Sequence, residues 1–429
     1  MSVLRSVKES KKTKAKCLGE VKVIEREAYD ELEIATKIEL IRSLIPLGLM
    51  HVYELLDQEV CALAGERYSR KEDESDKVYR YGSNPGSVRM AGQRVPVRVP
   101  RLRKPDGGEV PLSSYATLSG PGDLDENLLK RVLYGISCRN YEEAAEAIPG
   151  AIGLSSSSVS RNFVKISSAK LKAFQERDLT GEDIVALFLD GKTFAQATMV
   201  VALGVTITGE KRFLGFIETD TENTQVLTPF LRSLIERGLN IEQGLLVVID
   251  GSKGLRAAVN KAFGKKVLVQ RCQWHKRENV VSYLSKSQQD IWRKRLTHAY
   301  DRPTYKEAKD ALNELHKELD DLNQSAANSL HEGFEETLTL HRLGVYAVLG
   351  CSFKTTNCLE SVNSLIQERC GKIDCWKNSN QRHRWLATAL LDIEPRLYKV
   401  KGFKHLPKLR EALKQELKIV DRPATEGVA

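Results

Sequence analysis

Three carboxylates stand where an apolar chain has little reason to put them. In "LLVVIDGSKGL", residues 245–255, an unbroken apolar run leads straight into Asp250 and a glycine. "VALFLDGK" repeats the pattern at Asp190, and Glu360 lies in "TTNCLESVNSLIQERC", where Leu359, Val362 and Ile366 form one helical stripe. Each has an ordinary explanation. Asp-Gly suits a tight hairpin turn, most readily at Asp190, where another strand follows. Glu360, three residues after Asn357, fits a capping box. Taken together they point to chemistry. Two aspartates at strand ends and a glutamate on a neighbouring helix can converge, and their repulsion would raise their pKa values unless cations neutralise them. Hard oxygen donors with open coordination suit two Mg²⁺ or Mn²⁺ ions. Two such ions roughly 3.5–4 Å apart clamp the attacking and leaving oxygens of a phosphoryl displacement.

The elements that must position these groups can be read from residue 183 onward. "IVALFLD", "TMVVALGVTI" and "KRFLGFI" read as strands, then the helix "TQVLTPFLRSLIERG", the strand "GLLVVID", the helix "SKGLRAAVNKAFG" and the strand "KKVLVQRC". That order predicts an α/β sheet of mixed direction. Asp250 then sits on its carboxyl edge, where open sheets bind ligands. A helical stretch over 277–350, with a stripe of Leu312, Leu315, Leu319 and Leu322, interrupts the sheet domain before Glu360.

Before residue 181 the chain carries its positive charge unevenly. Residues 86–104, "GSVRMAGQRVPVRVPRLRK", hold six basic residues and no acidic one. Val95, Val97 and Val99 alternate with Arg94, Pro96, Arg98 and Pro100, which indicates a strand that its prolines confine to an edge or an irregular ribbon. Arg94, Arg98, Arg101 and Arg103 are candidate phosphate contacts. Residues 141–175 read as a short helix, a Pro149-Gly150 break and a second helix capped by Ser155 or Ser156. A helix-turn-helix of this kind turns Val159, Phe163 and Ile166 inward. Ser157, Ser158, Ser160, Arg161 and Lys165 then face a major groove, although a plain helical hairpin fits the same pattern.

Bulk properties narrow the class. With 66 Lys and Arg against 57 Asp and Glu, the net charge of +9 suits a polyanionic partner without requiring one. The cysteines follow no repeated framework, so they read as reduced thiols of a cytoplasmic protein. No apolar run is long enough for a membrane span, and the basic start "MSVLRSVKESKKTKAK" reads as an arm rather than a signal peptide.

The words "LFLDGKTF", "LLVVIDGSKGLRAAV", "VLVQRCQWHKRENVVSYL", "TTNCLESVNSLIQER" and "QRHRWLATALLDIE" resemble the mutator-type DDE transposases of bacterial insertion sequences, with agreement from about residue 80 to 415. The resemblance implies a ribonuclease H-like catalytic core with a helical insertion, preceded by a mainly helical DNA-binding region, and makes Asp190, Asp250 and Glu360 the catalytic triad. It also implies DNA partners, namely terminal inverted repeats and a target, with a homo-oligomer on paired ends and a nucleoid-associated location. The resulting organisation is a basic arm, helical unit and β ribbon over 1–122, a helix-turn-helix over 123–180, a catalytic domain over 181–276 and 351–415, an insertion over 277–350 and a tail over 416–429. The family's Cys-x-x-His signature is matched by Cys272 and His275. A structural zinc site needs four ligands and no second pair is evident, so packing or support of the active site is expected. Many relatives carry a tryptophan after "TEN", where Leu227 stands here, which weakens a DNA-wedging role for that helix. Trp376 and Trp385, with Arg382, His383 and Arg384 nearby, could stack on unpaired bases or clamp a phosphate, but the tryptophans are expected in the core and the cations on a solvated face. A non-catalytic DNA-binding regulator and a nuclease without strand transfer are the competing readings.

Overall fold

The computed structural model describes residues 34–68, 78–90, 93–120, 124–136, 155–194, 197–219 and 223–419, with backbone alone for 34–47 and 124–127. The chain forms two compact units, residues 1–128 with 137–160, and 129–136 with 161–429. The basic amino-terminal arm, the first helix of the expected helix-turn-helix and the Pro149-Gly150 break lie outside the described residues.

In the first unit, helix α1 (Ile34–Ala64) packs against a sheet of β1 (Tyr79–Met90), β2 (Gln93–Arg103) and β3 (Glu109–Val110), followed by α2 (Ser113–Ser119). The region before residue 180 is thus built on a long hairpin as well as on helices. Val52, Leu56 and Val60 repeat every four residues along α1 and meet Val88, Val95, Val97, Leu102 and Leu112 in one core. The alternation in β2 is realised: Val95 and Val97 are buried while Arg94, Pro96 and Arg98 are exposed. β2 is the middle strand rather than an edge, and of the two forms its prolines allow the irregular ribbon is the one found, with β3 pairing only with Leu102 and Arg103. Pro96 and Pro100 therefore lie where β2 has a partner on one side only, and the register slips opposite Pro100, between Arg80 and Ser83. A missing N–H is tolerated under those conditions.

Helices α3 (Leu124–Leu133) and α4 (Ser156–Gln175) lead to the second unit. Its five-stranded sheet has the order β6-β5-β4-β7-β8, formed by β4 (Ile184–Phe194), β5 (Ala197–Thr206), β6 (Lys211–Thr219), β7 (Leu245–Ile249) and β8 (Val267–Arg271). β4, β5 and β6 pair antiparallel, whereas β4–β7 and β7–β8 pair parallel. β7 is apolar throughout because both of its faces are covered. On one face, Leu187, Leu189, Val247 and Ile249 pack against α5 (Thr224–Glu236) and α6 (Lys253–Phe263). On the other, Ala186, Phe188, Leu246 and Val248 meet the later helices α13 (Tyr346–Phe353), α14 (Asn357–Cys370), α15 (Ser379–Ile393) and α16 (Leu406–Glu416). Phe188 stacks on Phe353 with ring centroids 5.5 Å apart.

Between β8 and α13 come α7 (Gln273–Val281), α8 (Lys286–Tyr300), α9 (Tyr305–Leu322), α10 (Gln324–His331) and the short α11 (Phe334–Thr337) and α12 (Thr339–Arg342). Leu312, Leu315 and Leu319 of α9 are buried in a separate core with Trp292 and Leu296, while Leu322 is exposed at the helix end. Thr304 and Glu307 close a full capping box at the start of α9. No helix among the described residues is long and apolar enough to cross a membrane.

Candidate active site

Parallel pairing sets the geometry. Leu189 lies opposite Ile249 and Ile249 opposite Arg271, so the next residues, Asp190, Asp250 and Cys272, form a row across the carboxyl edge of three adjacent strands. Adjacent strands are about 4.8 Å apart. Side chains alternate between faces, and Ala186 and Phe188 point toward α14, so the same period puts Asp190 there. The alternation Leu246, Val248 carries Asp250 to that face as well.

Asp190 is not in the hairpin turn. It pairs with Val201 within β4, and the strand runs on to Phe194 opposite Ala197. The Asp-Gly step instead marks where β4 outlasts β7 and loses its parallel partner. Asp250 does begin a turn: its Oδ1 accepts the Ser252 N–H at 2.9 Å, Gly251 takes φ +108°, and Ser252 caps α6 through the Leu255 N–H. Only glycine adopts that φ without strain.

Glu360 does not close a capping box. The cap position of α14 is Thr356, which makes no side-chain cap bond, and the Glu360 N–H bonds to the Thr356 carbonyl at 3.2 Å. The Glu360 carboxylate is half-buried and has no side-chain partner among the described residues. Leu359, Val362 and Ile366 anchor α14 against Phe188 and Val248, on the aspartate face of the sheet. Among the described residues, no three His, Cys, Asp or Glu side chains are gathered in a way that could hold a metal ion.

Cys272 and His275 belong to the same locus. The Cys272 N–H bonds to the Ile249 carbonyl at 2.7 Å and extends the sheet, and α7 then brings His275 back over the strand ends. Thr356 Oγ1 lies 3.4 Å from His275 Nδ1 and 3.7 Å from Cys272 Sγ, which ties the start of α14 to this pair. Hydrogen bonding to Cys272 raises the His275 pKa, burial opposes it, and the charges of Cys272, Asp190 and Asp250 add to the rise, to about 9. Burial pushes the Cys272 thiol up, but its hydrogen bonds to His275 outweigh that and hold it below its ordinary value. The charges of both aspartates thus favour the protonated form of His275.

Two buried cations escaped the sequence reading. Arg271, at the end of β8, donates to the Gly251 carbonyl at 2.8 Å and the Glu332 carbonyl at 3.0 Å, joining the Asp250 turn to the end of α10. Lys276 Nζ donates to the Ser329 and Glu332 carbonyls, each at 2.6 Å. Position at a strand end beside Cys272 was the available signal for Arg271. Trp376 and Trp385 do pack on the core as expected, but the cations beside them are not a solvated face. Arg382 and His383 pair with Glu218, and Arg384 is buried against Ser167 and Asn380.

In the first unit, Arg94 and Arg98 are exposed and make no ion pair among the described residues. Arg101 pairs with Glu109 at 2.5 Å, and the guanidinium groups of Arg101 and Arg103 lie over the exposed Tyr81 ring at 5.4 and 4.0 Å. Along α4, Val159 and Phe163 are buried and Ile166 half-buried; Ser157, Ser160, Arg161 and Lys165 are exposed and Ser158 is half-exposed. Ser155 Oγ bonds to Ser158 Oγ at the helix start.

With strand ends, cysteine-histidine pair and helix-borne glutamate in place, comparison with known proteins is informative. The sequence model described as "Transposase, Mutator family" matches residues 20–398. The transposase for insertion sequence element IS256 in transposon Tn4001 of Staphylococcus aureus is 25% identical over 379 residues, 84% of this chain and 92% of that protein. The transposase for IS406 of Burkholderia multivorans is 27% identical, covering 80% and 88%, and that for IS905 of Lactococcus lactis is 26% identical, covering 79% and 86%. The chain belongs to the mutator family of transposases.

Proposed function

We propose that this chain is an active DDE transposase: it binds the terminal inverted repeats of its own element, cleaves DNA at their ends and joins the freed 3′-hydroxyl to target DNA. One observation carries the reading. Asp190 and Asp250 follow the last residues of β4 and β7 that pair in parallel, in register, on the sheet face covered by the helix that bears the Glu360 carboxylate. The sheet order, with three antiparallel strands continued by two parallel ones, supports a ribonuclease H-like core.

Three carboxylates are a hard oxygen set suited to Mg²⁺ or Mn²⁺, and Asp190, Asp250 and Glu360 would hold the ions. When bound, two such ions lower the pKa of water or a 3′-hydroxyl and stabilise the leaving oxygen. The chain's own residues do the rest. Arg271 and the Asx turn at Ser252 fix the backbone that carries Asp250. His275 offsets the charge of the aspartates, and Thr356 keys α14 to the strand ends. Arg94 and Arg98 on the ribbon, with Arg101 and Arg103 stacked on Tyr81, offer phosphate contacts; the outer face of α4, with Ser157, Ser158, Ser160, Arg161 and Lys165, offers hydroxyls and cations to a groove. Pairing two DNA ends requires at least two protomers.

Labelled duplexes bearing the inverted repeats that flank the gene, incubated with the full chain and Mg²⁺ or Mn²⁺, test this reading. Joined products from the wild type and their loss in Asp190→Asn, Asp250→Asn and Glu360→Gln are expected. Hydrolysis without joining would establish the nuclease alternative, and binding without cleavage the regulator.

A further inference from the structure

We propose that residues 395–408 form a further DNA surface, on the catalytic unit, that holds the host duplex flanking the element a few base pairs beyond the cut. This rests on the reading of Asp190, Asp250 and Glu360 as the cutting site, and adds a contact at the opposite edge of the sheet. Residues 395–410, "PRLYKVKGFKHLPKLR", hold six Lys and Arg and no Asp or Glu, as many cations as residues 86–104 in a shorter stretch. Arg410 is turned inward, to Asp183 and the Gly244 carbonyl. Arg396, Lys399, Lys401, Lys404 and Lys408 are left exposed.

A run of surface lysines is usually a solvated face, but this one is held on a fixed backbone. Val400 and Leu406 are buried anchors. The Val400 N–H donates to the Gly209 carbonyl at 3.0 Å, and Ser352 Oγ donates to the Lys401 carbonyl at 3.0 Å. Gly402 takes φ +79° against the Val348 carbonyl, where a side chain would not fit. Like charges fixed side by side repel, and a polyanion relieves that repulsion without having to order the backbone. Carboxylates answer only two of the five cations. Lys399 pairs with Glu210 and Arg396 with Asp392, whereas Lys401, Lys404 and Lys408 make no ion pair among the described residues.

Four of the five cations are lysines, and no Asn or Gln lies among them. Lysine meets a phosphate as a point charge and carries no fork for a base edge, so the surface suits a duplex backbone of any sequence. Tyr398, 89% exposed, adds a hydroxyl that can donate to a phosphate oxygen. At an element end the inner side carries the fixed repeat, while the flank differs at every insertion. A surface indifferent to sequence therefore fits the flank.

Distance sets where on the flank the contact falls. Gly209 lies in the turn between β5 and β6; Asp190 pairs with Val201, and β5 runs on to Thr206. The patch is thus about 17 Å or more from the catalytic row. With a rise of about 3.4 Å per base pair, a straight duplex leaving the cut along the sheet reaches it about five base pairs out.

The test measures binding of the full chain, without divalent cations, to repeat duplexes whose flank is about 20 or about 3 base pairs long. The wild type should bind the long flank about tenfold more tightly, whatever its sequence. The triple variant Lys401→Gln, Lys404→Gln, Lys408→Gln should erase that difference and lower the slope of log affinity against log salt on the long flank by about 2 to 3. It should bind the short flank as the wild type does, which a misfolded variant cannot. Equal losses on both duplexes, or a flank whose sequence matters, would overturn the proposal. So would a triple variant that binds both duplexes as the wild type does, a result that would assign the patch to an acidic protein. In each of these cases, cleavage in Mg²⁺ that still requires Asp190, Asp250 and Glu360 leaves the catalytic reading standing. Cleavage indifferent to those carboxylates removes that reading and the flank assignment with it.

Discussion

Asp190 and Asp250 follow the last paired residues, Leu189 and Ile249, of two parallel strands that share a register. Hydrogen bonding of the sheet thus brings together two charges that lie 60 positions apart in the chain. The charges of both aspartates contribute to the raised pKa of His275.

Residues that act as one unit lose activity together. Asp190→Asn, Asp250→Asn and Glu360→Gln should each reduce DNA cleavage by about 10³-fold or more, and the double variants should lose little beyond the singles. Single-turnover cleavage of a labelled end measures this. Losses that multiply in the double variants would mean that the three act independently.

His275 should titrate near 9 in the metal-free protein because it bonds to Cys272. A raised pKa means that this pairing stabilises the fold fully below the ordinary value of 6.5 and is lost as pH rises through about 9. Imidazole NMR signals followed against pH should show a midpoint at least one unit lower in Cys272→Ala. An unchanged midpoint would show that the aspartates alone hold the charge.

Glu59 supports the first unit in the opposite pH range. It accepts the backbone N–H groups of Ser113 and Ser114 at 2.7 and 2.9 Å and both hydroxyls, at the start of α2. Burial pushes its pKa up, but these bonds dominate and bring it from 4.5 to about 2. Its contribution is therefore present above 4.5 and lost as pH falls toward 2. Glu59→Ala should cost about 1 kcal/mol at neutral pH, after allowance for its partial exposure, and progressively less in acid. Denaturant melts of the full chain at pH 7 and pH 3 check the difference.

The ribbon arginines should act through charge. Arg94→Ala and Arg98→Ala should each lower the slope of log affinity against log salt by about 0.9 and weaken binding to all DNA sequences alike. A change in sequence preference with the slope intact would place these side chains on base edges instead.

Much of this arrangement was legible in the sequence because it is local. The valine and arginine alternation in β2 gave its two faces, and the apolar run ending in Asp250 gave a strand terminus. The stripe of Leu359, Val362 and Ile366 oriented α14 toward the sheet. What stayed hidden depends on partners distant in the chain. The run of apolar residues before Asp190 does not say that β4 continues past it, since that follows from pairing with β5. Glu360 looked equally like a cap, because spacing from Asn357 cannot reveal that the helix is capped at Thr356. Arg271, Lys276, Arg382 and Arg384 carry the same charge as surface residues, and only the tertiary fold supplies the carbonyls and carboxylate that draw them inward. The prolines of β2 allowed an edge strand or an irregular ribbon, and only the tertiary fold shows a middle strand whose third partner is too short to reach them.

A crystal of the full chain with a DNA end, soaked in Mn²⁺ and measured at the manganese absorption edge, tests the central claim most directly. Anomalous density bonded to carboxylate oxygens of Asp190 and Asp250, with Glu360 drawn into the same cluster, is the predicted result. Manganese bound elsewhere, with Asp190 and Asp250 left unligated beside the DNA, would contradict it.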